Sequence, residues 1–257
     1  MEKAAQLVPS GCTLALGGVT LYRRPIAFVR ALIQRYQATG EPNNLTLLAF
    51  TASLESDYLV GAGMVRRLRT CYFGLESFVL APMFTYCANR GMIEMLEETE
   101  ASLSFGLRAH IAGVGFMPGR GWLGTDLPLL RPDISTVMDP YNGEELIAFP
   151  AIRPDVVAIH ALRADWHGNA QIGENKGVDE ELSMASDIVI VTAEEIVPKL
   201  TKADLIAPFT RIIVHAPRGA APTSCHPLYP LDGEAILAYT EQVSDPSSFA
   251  NYRDRWL

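Results

Sequence analysis

Apolar residues along this chain fall into short runs of strand length, and between the runs the spacing becomes helical. Residues 12–16 form a compact apolar run that ends at Gly17-Gly18. Across 25–37, Ile26, Val29, Ile33 and Tyr36 recur at the spacing of a helix face. Pro25 suits the first turn of that helix, where its missing N–H costs nothing. A strand is predicted over 44–50, entered through the turn residues Glu41-Pro42-Asn43. Helical spacing returns over 54–65, 78–90 and 101–112, with a strand over 69–73. Further on, 156–162 is almost wholly apolar, as expected of a strand buried on both faces. The runs at 188–192 and 212–215 read as strands too, and 178–186 reads as a helix. This alternation predicts an α/β fold with a mainly parallel sheet flanked by helices on both faces.

Residues 117–155 break the pattern. They are rich in glycine and proline, and Asn142-Gly143 predicts a tight hairpin between 136–138 and 146–148. The whole of 1–257 reads as a single domain with this stretch as an excursion from the main sheet, since no repeat or low-complexity segment divides it.

Composition narrows the function. Hydrophobic residues make up 49% of the 257 positions and charged residues 19%, enough for a large core. The formal net charge of −8 argues against nucleic acid or an anionic membrane as a partner. The first residues lack the basic start and apolar run of a signal peptide, and no apolar stretch has the length of a membrane span. Cys12, Cys71, Cys87 and Cys225 are scattered without metal-ligand spacing, so reduced thiols, no bound metal and a cytoplasmic setting are expected.

Candidate chemistry begins at Leu16-Gly17-Gly18-Val19-Thr20-Leu21-Tyr22-Arg23-Arg24-Pro25, between a strand and a helix. Paired glycines there let a backbone approach a ligand and present N–H groups, and a helix start favours an anion. Arg23 and Arg24 are placed to meet a phosphate, although cations are unfavourable at a helix N-terminus and so want a partner. Arg120, in a Gly/Pro loop, could fork onto a carboxylate or phosphate. Glu94, Glu97, Glu98 and Glu100 form an acidic cluster that reads as the first turn of the helix over 101–112. Glu174-Asn175 reads as an exposed loop. His160 and His215, on apolar strands, read as satisfied core histidines, and Trp166 and Trp256 as packing residues. Tyr58, Phe78, Met83 and Phe84 are candidate apolar contributors to a subunit interface, or equally plain core. No nucleophile elbow or phosphate loop is present.

Several of these segments together resemble one family. "GGVTLYRRP" is similar to the glycine-pair loop of family I CoA-transferase α subunits, with Val19 where a Phe is usual. "GFMPGRGWLGTD" resembles a segment of glutaconate CoA-transferase A-type subunits, with Gly121 where Ser is common. "VVAIHALRADWHGNAQI", "VIVTAEEIV" and "PRGAAPTS" resemble later segments of A-type subunits in the same order. The resemblance implies the CoA-transferase fold, which is shared with sugar-phosphate isomerases. It implies the A-type half of a heterodimer or heterotetramer that moves CoA between an acyl-CoA and a carboxylic acid, a dicarboxylate such as glutaconate being plausible. The nucleophilic glutamate would then lie on a partner B-type subunit, and Glu174 in "GENKG" is not expected to replace it. CoA thioester enters as substrate, with no permanently bound cofactor. Gly17, Gly18, Val19 and Thr20 would form the oxyanion and CoA-binding loop, and Arg23, Arg120, Gly124 and Thr125 would contact substrate or CoA. Some relatives of these subunits hydrolyse steroid ring-cleavage thioesters with an acidic residue of the A-type chain as base, and Glu100 matches its place. A non-catalytic binding or regulatory module on the same fold is the remaining alternative.

Overall fold

A computed structural model describes residues 1–256 of the protein, the Trp256 side chain excepted. The strands are β1 (Thr13–Leu16), β2 (Leu45–Ala49), β3 (Val65–Thr70), β4 (Glu94–Glu97), β5 (Phe116–Gly119), β6 (Thr136–Met138), β7 (Glu145–Pro150), β8 (Val156–Asp165), β9 (Ala170–Gln171), β10 (Ile188–Val197) and β11 (Thr210–His215). The helices are α1 (Glu2–Ala5), α2 (Ile26–Thr39), α3 (Leu54–Gly61), α4 (Pro82–Ala88), α5 (Glu100–Ile111), α6 (Leu127–Leu130), α7 (Asp179–Ala185), α8 (Gly233–Gln242) and α9 (Pro246–Trp256).

The main sheet runs β11-β10-β8-β1-β2-β3-β4, all parallel, with β9 antiparallel beside β8. Its strands are apolar on both faces because each face is covered. Leu14, Leu16, Leu47, Val156 and Ala158 pack with Phe28 and Leu32 of α2 and with Leu54 and Tyr58 of α3. Their neighbours in sequence, Ala15, Leu48, Val157 and Ile159, pack on the other side with Leu103 and Leu107 of α5 and Leu182 of α7. Each fully buried large apolar side chain contributes about 1.5–3 kcal/mol. A one-residue slip in register would exchange the two sets.

The excursion forms a second, antiparallel sheet, β5-β7-β6. Thr136 lies opposite Ile147, and Gly143 takes the positive φ that the turn requires. Trp122, Ile147 and Phe149 give this sheet a small core of its own. Among the described residues, no helix is long and apolar enough to cross a membrane.

Several expectations change. The strand expected over 69–73 lies at Val65–Thr70, and the preceding helix stops at Gly61. Three arginines, Arg66, Arg67 and Arg69, hid this strand; Arg67 pairs with Glu94 on β4 at 2.9 Å. The acidic cluster is split: Glu94–Glu97 is the edge strand of the sheet, where side chains reach solvent, and of the four glutamates only Glu100 lies in the first turn of a helix. Tyr58 and Met83 are buried, and Phe84 stacks on Phe73 at 4.2 Å with Phe78 against the same core, so this set packs the interior and offers no docking face. His215 is exposed on β11, and Trp166 is 76% exposed.

One buried carboxylate ties the outer helices together. Asp57 of α3 accepts the Tyr239 hydroxyl of α8 (2.6 Å) and the amides of Met83 (3.2 Å) and Phe84 (2.6 Å) in α4. No cation pairs with it among the described residues. Burial pushes its carboxyl up to about 6, and these three hydrogen bonds resist the shift. An acid whose pKa is raised on folding binds its proton more tightly in the folded chain. Its contribution is therefore complete below its unfolded pKa and is lost as pH rises through about 6. We predict that Asp57→Asn removes a component of about 2–3 kcal/mol from the loss of stability between about pH 4 and 6.5. Urea midpoints of wild type and variant across that range check it; parallel pH profiles would contradict it.

Candidate active site at the carboxyl ends of the strands

The segment after β1 is held from beneath by one side chain. Asp179, at the start of α7, accepts the Gly18 amide on both oxygens (3.0 and 3.1 Å) and pairs with Arg23 Nη1 at 3.0 Å. Gly17 is required because a Cβ there would lie 2.9 Å from Asp179 Oδ1 and from Ile159. Gly18 has φ +92°, and a Cβ would meet the Tyr22 carbonyl oxygen at 2.7 Å. Thr20 and Arg23 also take positive φ (47° and 54°), a conformation that side chains other than glycine hold only under constraint. Further constraint comes from 217–229. Arg23 N donates to Ser224 O (2.8 Å), Ser224 N to Leu21 O (2.9 Å) and Ala27 N to Gly219 O (2.9 Å).

This geometry revises the roles expected of the loop. The amides of Gly17, Gly18, Val19 and Thr20 already donate within the chain, to Ala158 O, Asp179, Tyr22 O and Thr51 Oγ1 respectively. They do not stand as a free anion hole. Thr20 N to Thr51 Oγ1, at 2.7 Å, is the bond of this set whose two residues line the cleft described below. Arg23 and Arg24 are fully buried and cannot reach a CoA phosphate. Arg23 also donates to His160 O (2.9 Å) and Asn175 O (2.8 Å), while Arg24 donates to Gly18 O (2.8 Å) and pairs with Glu55. Their cost at a helix start is met by these buried carboxylates and carbonyls.

Beside the loop lies a cleft of about 500 Å³ lined by Thr20, Thr51, Cys71, Tyr72, Glu76, Glu98, Thr99 and Glu100. These residues follow the carboxyl ends of β1, β2, β3 and the edge strand β4, four neighbours in the sheet. Strand order reverses next door, between β1 and β8, where open parallel sheets place their ligand sites. Glu100 is brought to the cleft, exposed, as the first residue of α5. Thr99 caps that helix, exchanging hydrogen bonds with Ser102 in both directions (3.2 and 2.8 Å) and accepting Trp122 Nε1 at 2.9 Å. Glu98, two residues earlier, is buried. It takes Arg69 at 2.6 Å, Arg131 at 3.0 Å and the Ser102 hydroxyl at 2.5 Å. Burial pushes the Cys71 thiol up to about 11, with Glu100 adding to the effect, and the thiol donates to Phe50 O at 2.6 Å.

Arg120, Gly124 and Thr125 do not line this cleft. They lie in the exposed turn after β5, where the Arg120 guanidinium makes a two-pronged pair with Glu144. Glu174 sits exposed beside a second cleft of about 490 Å³, with Tyr22, Leu162, Asn175 and His226. Its loop packs on the glycine segment, since Arg23 grips Asn175 O. The donor atoms of His160, Glu194 and Cys225 lie within 4.8 Å of one another. Hydrogen bonds already engage the first two: Thr192 Oγ1 and Glu194 each lie 2.8 Å from a His160 ring nitrogen, and Glu194 accepts the Tyr229 hydroxyl and Arg218 N (2.5 Å). This network anchors 217–229 behind the loop.

Sequence reasoning missed Thr51, Cys71 and Tyr72, although a position just past a parallel strand is the available signal. Asp179 carried no such signal, because its role exists only across the fold.

Fold and cleft define a class: an α/β chain with an open cleft at the carboxyl ends of a parallel sheet. The chain belongs to the Coenzyme A transferase family, whose model matches residues 1–213. It is 30% identical over 268 residues to the A-type subunit of 3-oxoadipate CoA-transferase from Pseudomonas knackmussii, covering 100% of this chain and 91% of that one. It is also 30% identical over 273 residues to the cholesterol ring-cleaving hydrolase IpdA subunit of Mycobacterium tuberculosis, with the same coverage of 100% and 91%. The structure of glutaconate coenzyme A-transferase from Acidaminococcus fermentans superposes with a TM-score of 0.90 at 26% identity, covering 99% of this chain and 86% of that one.

Removing Asp179 would leave the Arg23 charge buried and the Gly18 amide unmatched. We predict that Asp179→Ala costs about 3–5 kcal/mol of stability, read from guanidinium unfolding. A loss under about 1 kcal/mol would show that the loop is held some other way.

Proposed function

We propose that this chain is the A-type half of a heteromeric CoA-transferase and works with a B-type subunit that brings the nucleophilic glutamate. That carboxylate attacks the acyl-CoA carbonyl and expels CoA thiolate. The thiolate then takes the glutamyl carbonyl and releases the first acid, leaving CoA on the enzyme as a thioester, and a second acid reverses the sequence. The observation that carries the reading is the open cleft at the ends of β1–β4, with Glu100 and the Thr20–Thr51 pair on its wall, in a chain of this family. With the Thr20 amide spent on Thr51 Oγ1, the hydroxyls of Thr20 and Thr51 are the donors this wall can turn toward a developing oxyanion. Co-expression with a B-type partner, trapping with acyl-CoA and borohydride, and mass spectrometry test the assignment. The modified glutamate is expected on the partner; a label on Glu174 would overturn it.

A second reading is favoured by where Glu100 sits. It is a carboxylate without an ion-pair partner among the described residues, on the same cleft wall as Thr20. It could activate water against a thioester or ring ketone, as a general base does. The similarity to the ring-cleaving hydrolase subunit supports this reading. Under it, the complex releases free CoA or opens a ring without an acceptor acid, and Glu100→Gln lowers that rate by about a hundredfold or more. Under the transferase reading, Glu100→Gln spares acid-dependent exchange to within about tenfold.

A further inference from the structure

Resting on the reading that acyl-CoA chemistry runs in the cleft beside Thr20, we infer that the acyl group this chain accepts carries no distal negative charge and presents hydroxyl groups instead. The charges on the cleft wall point that way. Three carboxylates line it, those of Glu76, Glu98 and Glu100, and no lysine or arginine does. Glu98 is neutralised from behind by Arg69 and Arg131, and Arg131 also pairs with Asp133 at 2.8 Å. Glu76 and Glu100 are exposed, and neither has an ion-pair partner among the described residues.

The arginines that could have met a distal carboxylate are committed elsewhere. Arg23 and Arg24 are buried on Asp179 and Glu55, and Arg120 is paired with Glu144 away from the cleft. Bringing a second carboxylate to within several ångströms of Glu76 or Glu100 is therefore repulsive with no compensating cation on this wall. An uncharged hydroxyl meets no such penalty. It can donate to either glutamate, and it can exchange hydrogen bonds with the Thr20 and Thr51 hydroxyls. The Cys71 thiol is turned to Phe50 O and adds no positive charge. The resemblance admits a diacid as substrate; this wall favours a neutral hydroxyacyl group of similar size.

A matched pair of thioesters tests the inference on the complex of this chain with its B-type partner, so that any cation the partner brings is counted. 3-Hydroxybutyryl-CoA and succinyl-CoA both have four acyl carbons; the first carries a hydroxyl on C3 and ends in a methyl, and the second ends in a carboxylate at C4. Isothermal titration should show 3-hydroxybutyryl-CoA binding about tenfold or more tightly. Glu76→Gln should narrow the gap to about threefold or less by improving the binding of succinyl-CoA. Equal or tighter binding of succinyl-CoA overturns the inference, as does a gap that Glu76→Gln leaves intact. Turnover read in parallel keeps the two ideas apart. A binding preference without turnover of either thioester counts against the catalytic reading, whereas transfer activity with a succinyl preference counts against the substrate class alone.

Discussion

The Asp179 carboxylate is the constraint on which the site depends. A loop with positive φ at Gly18, Thr20 and Arg23 does not hold its shape through local preference. It holds because two oxygens on a neighbouring helix take the Gly18 amide and the Arg23 guanidinium together. Gly17 follows from the same contact, since no side chain fits between the strand and that carboxylate. A buried arginine is costly without a partner and tolerable with one, so the interaction is nearly all-or-none. Arg24 and Glu55 repeat the arrangement one residue along. Two buried ion pairs therefore underlie a loop whose upper surface stays free of fixed cations.

Charge is sorted by depth in the same way on the far wall. Glu98 and Glu100 are two residues apart, yet one is enclosed by two arginines and a serine while the other opens to the cleft. The change of direction at Thr99, where the edge strand gives way to α5, separates them. The Arg69 and Arg131 contacts fix that corner, and Trp122 from the small-sheet side donates to the capping threonine. The small sheet, which lines none of the cleft, thus supports the residue that does.

How much of this could be read from the chain depended on whether the cause was local. The run over 156–162 and the periodicity from Ile26 to Tyr36 are local consequences of burial, and the parallel, two-faced sheet followed from them. The hairpin around Asn142-Gly143 was legible for the same reason. Strand β3 was legible only with shifted bounds, because its arginines interrupt the apolar run, and β4 was not legible, because an edge position admits glutamates in a pattern that resembles a helix start. Arg23 and Arg24 invited a phosphate by sequence position, and only distant residues, Asp179 and Glu55, show that their charge is already matched. Tyr58 and Met83 read equally well as interface or core, and helices α4, α8 and α9 closing over them decide the matter.

A wall built in this way can orient an acyl group, but by itself it does little else. Catalysis of thioester exchange needs a nucleophile, donors for the oxyanion and exclusion of water. This chain offers the hydroxyls of Thr20 and Thr51, two exposed carboxylates in Glu76 and Glu100, and a cleft open along the ends of four strands. The phosphates of CoA need cations that the cleft wall does not supply. Each missing function is of a kind that a second protein surface can bring at once: a carboxylate nucleophile, basic residues for the phosphates, and a lid. The same rigid, cation-poor wall could then serve transfer or hydrolysis according to what faces it. On the readings proposed above, the choice of reaction would rest on Glu100 together with what the facing chain brings, and discrimination among acyl groups would fall to this wall.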